Sequence, residues 1–229
     1  MSRLFVVVEG QTEEMFVNKV LCPYLADFGV GASAIVPITN AGRGRGGRVA
    51  RGGGRWKHWL SAIRRKLGSA ESGVFVTTMF DLYGLPDDFP ERERGLSVRD
   101  SLAYVRLLEQ AMSRVIGSNR FVGYIQLHEF EALVLACLEF LPSIIDDPAL
   151  RRNVETLRGE VGAMKPEDVN SGCFTAPSKR LMRSLGQAYN KCAHGVLVTS
   201  MAGIPALKRK CPHFGWWVEV LERLVDRRE

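Results

Sequence analysis

The sequence predicts an α/β fold: a mainly parallel sheet of four or more strands flanked by helices, followed by a helical C-terminal part. Three observations carry this. Leu4-Phe5-Val6-Val7-Val8 is an unbroken apolar run, and Val74-Phe75-Val76-Thr77-Thr78-Met79-Phe80 nearly so; such runs read as strands buried on both faces, as parallel sheets require. The segments between them carry helical rather than alternating spacing. Beyond Leu141 no convincing strand pattern recurs.

A chain of 229 residues is long enough to bury one substantial core. It reads as a core over 1–140 with a helical extension over 141–229 packed on it as a single compact unit. The formal net charge of +6 suits an anionic partner. The five cysteines include no CxxC pair, which argues against a zinc ribbon or a disulfide framework. Cys137 lies in an apolar helical run and reads as a small core residue. No apolar run approaches the roughly 20 residues needed to span a bilayer, and the N-terminus does not resemble a signal peptide; the expected location is cytoplasmic.

In chain order, the first strand covers residues 3–8. A helix from about Gln11 to Phe28 follows, with Thr12 as its cap and Glu13 and Glu14 in its positive first turn; Gly29 and Gly31 stop it. A second strand over 32–38 completes a right-handed βαβ unit. The stretch from Gly42 to Arg55 then holds five arginines, seven glycines and no acid. It reads as a mobile loop that binds anions, since glycine lets backbone N–H groups approach phosphate while arginine neutralises it. Trp56, Trp59, Leu60 and Ile63 form the apolar side of a basic helix, with the two tryptophans as core anchors. The third strand covers 74–80. A helix from about Ser97 to Ile116 carries Leu102, Val105, Leu108 and Met112 on one stripe, and a fourth strand covers 121–127. In the extension, Thr175-Ala176-Pro177-Ser178 feeds a helix with Lys179 and Arg180 in its first turn, and Lys191 sits between helices. Phe214, Trp216 and Trp217 lock the last amphipathic helix onto the body.

Three strand ends carry acids. Glu9 follows the first strand, Asp81 the third, and His128-Glu129-Phe130-Glu131 the fourth. Ligand crevices of open α/β sheets lie at the carboxyl ends of the strands. A buried strand has no structural need for a carboxylate there, although a solvated or arginine-paired acid is the bland alternative. In a parallel sheet Glu9 and Asp81 share one edge, close enough to hold a divalent cation together. One of Glu129 and Glu131 turns towards them while the other caps the helix. His128 is a second-rank candidate.

Val8-Glu9-Gly10-Gln11-Thr12-Glu13, Asp81-Leu82-Tyr83-Gly84-Leu85-Pro86, His128-Glu129-Phe130-Glu131-Ala132-Leu133, Ala176-Pro177-Ser178-Lys179-Arg180 and Cys211-Pro212-His213-Phe214, in this order, resemble the family called domain of unknown function 4276. That family looks like a branch of the TOPRIM superfamily, which includes topoisomerases, primases and the overcoming-lysogenization-defect nucleases; its members are often encoded beside ABC-type ATPases in bacterial defence islands. The resemblance implies a TOPRIM-like fold, a glutamate after the first strand, matching Glu9, and an Asp-x-Asp after a later one. Here that motif reads Asp81-Leu82-Tyr83, so the second aspartate is absent, and Glu129 or Glu131 is left to supply its carboxylate.

Two functions follow as expectations. The first is a Mg²⁺- or Mn²⁺-dependent nuclease of DNA or RNA, in anti-phage defence alongside an ATPase. Its catalytic acids are Glu9, Asp81, Glu129 and Glu131, with Glu9, Asp81 and Glu131 as metal ligands. Its phosphate contacts are Arg43, Arg45, Arg48, Arg51, Lys179, Arg180 and Lys191. The second is a non-catalytic sensor or adaptor that binds nucleic acid or nucleotide and docks on the ATPase. No GxxxxGK[ST] or GxGxxG fingerprint supports a small-molecule nucleotide enzyme.

Overall fold

A computed structural model describes residues 2–39, 50–51, 54–69, 73–95, 98–162, 164–169 and 175–228. One sheet runs in the order β2 (Val30–Ile35), β1 (Ser2–Val8), β5 (Val74–Asp81), β6 (Phe121–Val122). β1 lies between β2 and β5, parallel to both. The expected parallel α/β sheet flanked by helices, with a helical C-terminal region, is what the chain adopts.

Alternation along β1 explains the layering. Leu4, Val6 and Val8 pack with Phe16, Val17, Leu21 and the C-terminal helices on one face, while Phe5 and Val7 pack with Trp59, Ile63, Val105 and Leu108 on the other. Both faces are buried, and each fully buried aliphatic side chain stabilises the fold by roughly 1.5–3 kcal/mol. The C-terminal helices share the first of these cores, and Trp217 Nε1 donates to Thr77 Oγ1 at 2.8 Å across the sheet face.

The first helix runs as α-helix over Gln11–Phe16, through a π-helical stretch Val17–Leu21, and as α-helix again over Cys22–Ala26. Gly10, not Thr12, is its N-cap; the Thr12 hydroxyl instead meets Cys192 Sγ at 3.1 Å. Gly29, at φ +72°, ends the turn in a backbone region glycine enters without strain. β2 starts two residues earlier than expected and stops at Ile35, before Pro37, which has no N–H to continue the ladder. Ile38–Thr39 (β3) then pairs antiparallel with Ala50–Arg51 (β4). Arg43, Arg45 and Arg48, and the loop expected around them, lie outside the described residues; Arg51 has a described backbone only, and it is strand rather than loop.

Trp56–Leu67 is the basic helix, with Trp56 and Trp59 buried as expected. Its first N–H, from Trp56, donates to Asp88 Oδ1 at 2.9 Å, so both described roots of the arginine–glycine stretch sit at the carboxyl edge of the sheet. The next long helix begins at Ser101, not Ser97, because Asp100 caps it by accepting from Ala103 N at 2.6 Å.

The fourth strand departs most from expectation. It is split into β6 (Phe121–Val122) and β7 (Ile125–Gln126), both parallel to β5. Gly123 and Tyr124 bow out between them, and β5 mends the gap with its own hydroxyls. Thr78 Oγ1 donates to Tyr124 O at 2.8 Å and accepts from Tyr124 N at 2.9 Å, while Thr77 Oγ1 donates to Val122 O at 2.6 Å. Two threonines inside a buried strand are thereby satisfied.

Candidate active site

The strand order 2-1-5-6 puts the topological switch point between β1 and β5, where the crossovers leave on opposite faces and a crevice opens at the carboxyl ends. Glu9 and Asp81 stand at those two ends. Glu9 Oε2 accepts weakly from Asp81 N at 3.4 Å. Glu9 reaches this position because Gly84, closing the 3₁₀ turn Leu82–Gly84, has no side chain. A Cβ there would lie 2.2–2.5 Å from the Glu9 carboxyl group.

Two further acids converge. Glu131, in the first turn of the helix Glu131–Leu135, is 2 % exposed. Glu13, on the first helix, is 4 % exposed. Lys191 stands among the acids: its Nζ lies 3.2 Å from Glu131 Oε2, 3.4 Å from Asp81 Oδ2 and 3.6 Å from Glu13 Oε1. Glu131 Oε2 is thus held by the ammonium, whereas the buried Asp81 Oδ1 and the Tyr189 hydroxyl have no hydrogen-bond partner among the described residues.

The electrostatics follow from burial and crowding. Burial pushes the Asp81 carboxyl well above its ordinary value; Lys191 opposes this, and Glu13, Glu9 and Glu131 reinforce it. Burial likewise raises Glu131 against the pull of Lys191. Burial and then Glu13 raise Glu9, against the Asp81 N–H and Lys191. For Lys191 burial alone would lower the pKa, but Asp81, Glu131 and Glu13 outweigh it and hold it raised. The ammonium therefore stays charged at neutral pH. Four carboxylates face one cation, and like charges so packed must take up protons or a further cation.

Of the expected site residues, the structure brings together Glu9, Asp81 and Glu131. Glu129 turns elsewhere: its Oε1 accepts from Ser178 N at 3.2 Å and Ser178 Oγ at 2.8 Å. It caps the helix Pro177–Leu185 rather than its own, because that N-terminus presents otherwise unpaired N–H groups. Lys191, expected to contact phosphate, is ion-paired with three of the acids. Arg180 bonds Thr175 O at 2.9 Å and approaches Glu160 at 3.9 Å, whereas Lys179 is exposed.

His128 is the backbone oddity of the site, at φ +63°, a region sparsely populated by non-glycine residues. Its Nε2 lies 2.9 Å from Glu167 O and its Nδ1 2.9 Å from Tyr83 Oη. A carbonyl only accepts, so Nε2 carries the proton; burial lowers the ring's pKa and keeps it neutral, so Tyr83 donates to Nδ1. The residue in place of the second aspartate is thus tied to the neighbouring strand end, an arrangement reinforced by Tyr83 N donating to His128 O at 3.1 Å.

Sequence reasoning missed Glu13 as a member of the site, and the ion pairs of Lys191. A signal for Glu13 existed: it sits on the apolar stripe of its helix, three, four and seven residues before Phe16, Val17 and Val20. Nothing local marks the pairing of Lys191 with the acids.

Among the described residues no three Asp, Glu, His or Cys side chains are grouped to ligate one ion. The donor chemistry nevertheless fits Mg²⁺ or Mn²⁺: the acids supply hard oxygen ligands, and the buried Asp81 Oδ1 lacks a hydrogen-bond donor among the described residues. Mg²⁺ typically takes one or two protein carboxylates and completes its shell with water and substrate phosphate. No described helix is long and apolar enough to cross a membrane.

The model of a family described as Domain of unknown function (DUF4276) matches residues 8–222. Among solved structures, the chain is similar to the C-terminal region of the Burkholderia pseudomallei OLD protein, with 14 % identity and a TM-score of 0.49 over 100 % of both chains. Among curated proteins none matches.

Proposed function

The chain belongs to the DUF4276 family, and we propose that it is a TOPRIM-like, Mg²⁺- or Mn²⁺-dependent phosphodiesterase acting on DNA or RNA. The observation that carries this reading is the surplus of acid at the switch point: four carboxylates around one ammonium, with the buried Asp81 Oδ1 lacking a donor among the described residues. A cluster of that kind is costly in an apoprotein and has a purpose where a cation and a phosphate must be held together.

Asp81 and Glu131 would hold the ion, with Glu9 beside them. The metal would stabilise charge on the phosphoryl and leaving oxygens. Glu9, half-buried, with a raised pKa and held by Asp81 N, is suited to take a proton from an attacking water. The Lys191 ammonium offsets negative charge at the same place and is half-exposed, enough to meet a phosphate oxygen. Arg43, Arg45, Arg48 and Arg51 belong to the stretch rooted at this edge of the sheet, and with Lys179 they would neutralise the nucleic-acid backbone. An ABC-type ATPase partner and a role in anti-phage defence are part of the same proposal, on the family resemblance.

A second reading is a non-catalytic sensor or adaptor for nucleic acid or nucleotide that docks on the ATPase. One observation favours it: Tyr83 stands where the resemblance implies a metal-binding aspartate, and it is committed to His128.

The deciding experiment is cleavage of plasmid DNA and of RNA with Mg²⁺ and with Mn²⁺ by the wild type, Glu9→Gln and Asp81→Asn. Metal-dependent cleavage lost by at least about a hundredfold in both variants supports the enzyme. No cleavage by the wild type with either metal leaves the adaptor.

A further inference from the structure

β6 is the outer strand of the sheet, and the helices Ser101–Ile116 and Pro212–Glu222 cover opposite faces beside it. Between them the edge opens into a cavity of about 640 Å³, floored by Phe121, Val122 and Gly123. That volume is in the range of small-ligand sites. It lies at the β6 edge, apart from the carboxylate cluster at the ends of β1 and β5.

A column of parallel rings leads from the core to this cavity. Trp217 stacks on Tyr124 (4.2 Å, 9°), Tyr124 on His213 (5.1 Å, 25°), and His213 lies parallel to Trp216 (6.1 Å, 9°). The first three are buried, but Trp216, which borders the cavity, is 50 % exposed. The sequence led us to expect all the aromatics of this segment to pack inward. Trp216 instead ends the column with half its surface open, positioned to take one more flat ring.

The remaining lining supplies charge. Arg106 and Arg114 stand eight residues apart on one helix, exposed, with no ion pair or hydrogen bond to any described residue; the helical rise puts them about 12 Å apart along the axis. Between them Glu109 is buried and held by Ile125 N at 2.8 Å and by His213 Nε2 at 3.0 Å. Its carboxylate can only accept, which favours a ligand carrying N–H donors on its ring. The aromatic face and the acceptor suit a nucleobase, and the guanidinium suits a phosphate.

We propose that this cavity binds a nucleoside phosphate, with the base stacked on Trp216 and the phosphate paired with Arg106 or Arg114. This goes beyond the phosphodiesterase reading and does not depend on it.

The test titrates the full chain with 5′-AMP and 5′-GMP by calorimetry, with ribose 5-phosphate and adenosine as ligands lacking base or phosphate. Saturable binding of a mononucleotide is expected, weakened at least about tenfold by Trp216→Ala and retained in Trp216→Phe. Arg106→Ala/Arg114→Ala should weaken the mononucleotide by a similar factor while leaving adenosine unchanged. Glu9→Gln should leave binding as in the wild type, which separates this cavity from the acid cluster. A short oligonucleotide that binds more tightly than 5′-AMP, and loses that binding in the same variants, would identify a strand end as the source of the nucleotide. No saturable binding of either mononucleotide, or binding that survives Trp216→Ala unchanged, overturns the proposal; since Trp216 is half-exposed, that variant should stay folded, as its melting curve will report.

Discussion

Lys191 Nζ lies 3.4 Å from Asp81 Oδ2 across 110 residues of sequence. The contact ties the turn before the helix Val196–Ala202 to the end of a core strand. It also makes Lys191 the resident counter-ion of Asp81, Glu131 and Glu13.

Lys191→Met should therefore destabilise the metal-free protein. Removing one partner of a buried pair costs about 3–5 kcal/mol; with the lysine side chain 34 % exposed, water screens part of this and about 2 kcal/mol is expected. That is a fall in Tm of roughly 4–8 °C. Mg²⁺ or Mn²⁺ should restore more stability to the variant than to the wild type, since the ion then meets no competing ammonium. Equal melting temperatures for the two metal-free proteins would show that the acids do not need the lysine.

Asp81→Asn should show a stability gain that grows with pH. The Asp81 pKa is raised in the folded state above its ordinary value of 3.8. The stability it contributes is thus fully present below pH 3.8 and is lost as pH rises through the raised folded value. Asparagine escapes that loss. Melting curves at pH 4 and pH 7.5 should nearly coincide for the two proteins at the lower value and place the variant higher at the upper one. The same substitution should abolish any metal-dependent rise in Tm. A variant less stable than wild type at pH 7.5 would mean that the Lys191 pair outweighs the burial of the acid.

Gly84→Ala tests the positioning of Glu9. A Cβ at this residue would overlap the Glu9 carboxyl group at 2.2–2.5 Å. The obstacle is the far end of a flexible side chain, so the fold yields cheaply while Glu9 moves. The expected result is a change in Tm of no more than about 2 °C, corresponding to about 1 kcal/mol, with at least about a tenfold loss of metal-dependent cleavage. Unchanged cleavage would remove Glu9 from the chemistry.

Tyr83→Asp restores the Asp-x-Asp spacing at a position that is 46 % exposed and should tolerate the change. The change removes the hydrogen bond to His128 Nδ1, a bond worth about 1 kcal/mol. A second acid two residues from Asp81 should enlarge the stabilisation by Mg²⁺, read as the difference in Tm with and without the ion. If that difference does not grow, the tyrosine is not what limits metal binding.

Much of the framework was legible because it rests on short-range rules. The apolar runs ending at Val8 and Phe80 read as buried parallel strands. Trp56, Trp59 and Ile63 shared a helical stripe, and acids at strand ends pointed to one edge. The fourth strand misled for a local reason: Phe121 to Leu127 is apolar enough to pair throughout. At the break, Thr77 and Thr78, on another strand, supply hydrogen bonds that no pattern within Phe121 to Leu127 records.

The sequence by itself determined the layers and the candidacy of Glu9, Asp81 and Glu131, since periodicity and strand-end position are properties of a single segment. The tertiary structure decided which polar groups became partners, because a buried charge takes whatever opposite charge or N–H group the packing brings near. It turned Glu129 away to cap the helix at Ser178, drew Glu13 in from its helix, and set Lys191 among the acids. Those choices depend on contacts between segments far apart in the chain, and no spacing within any one of them records the result.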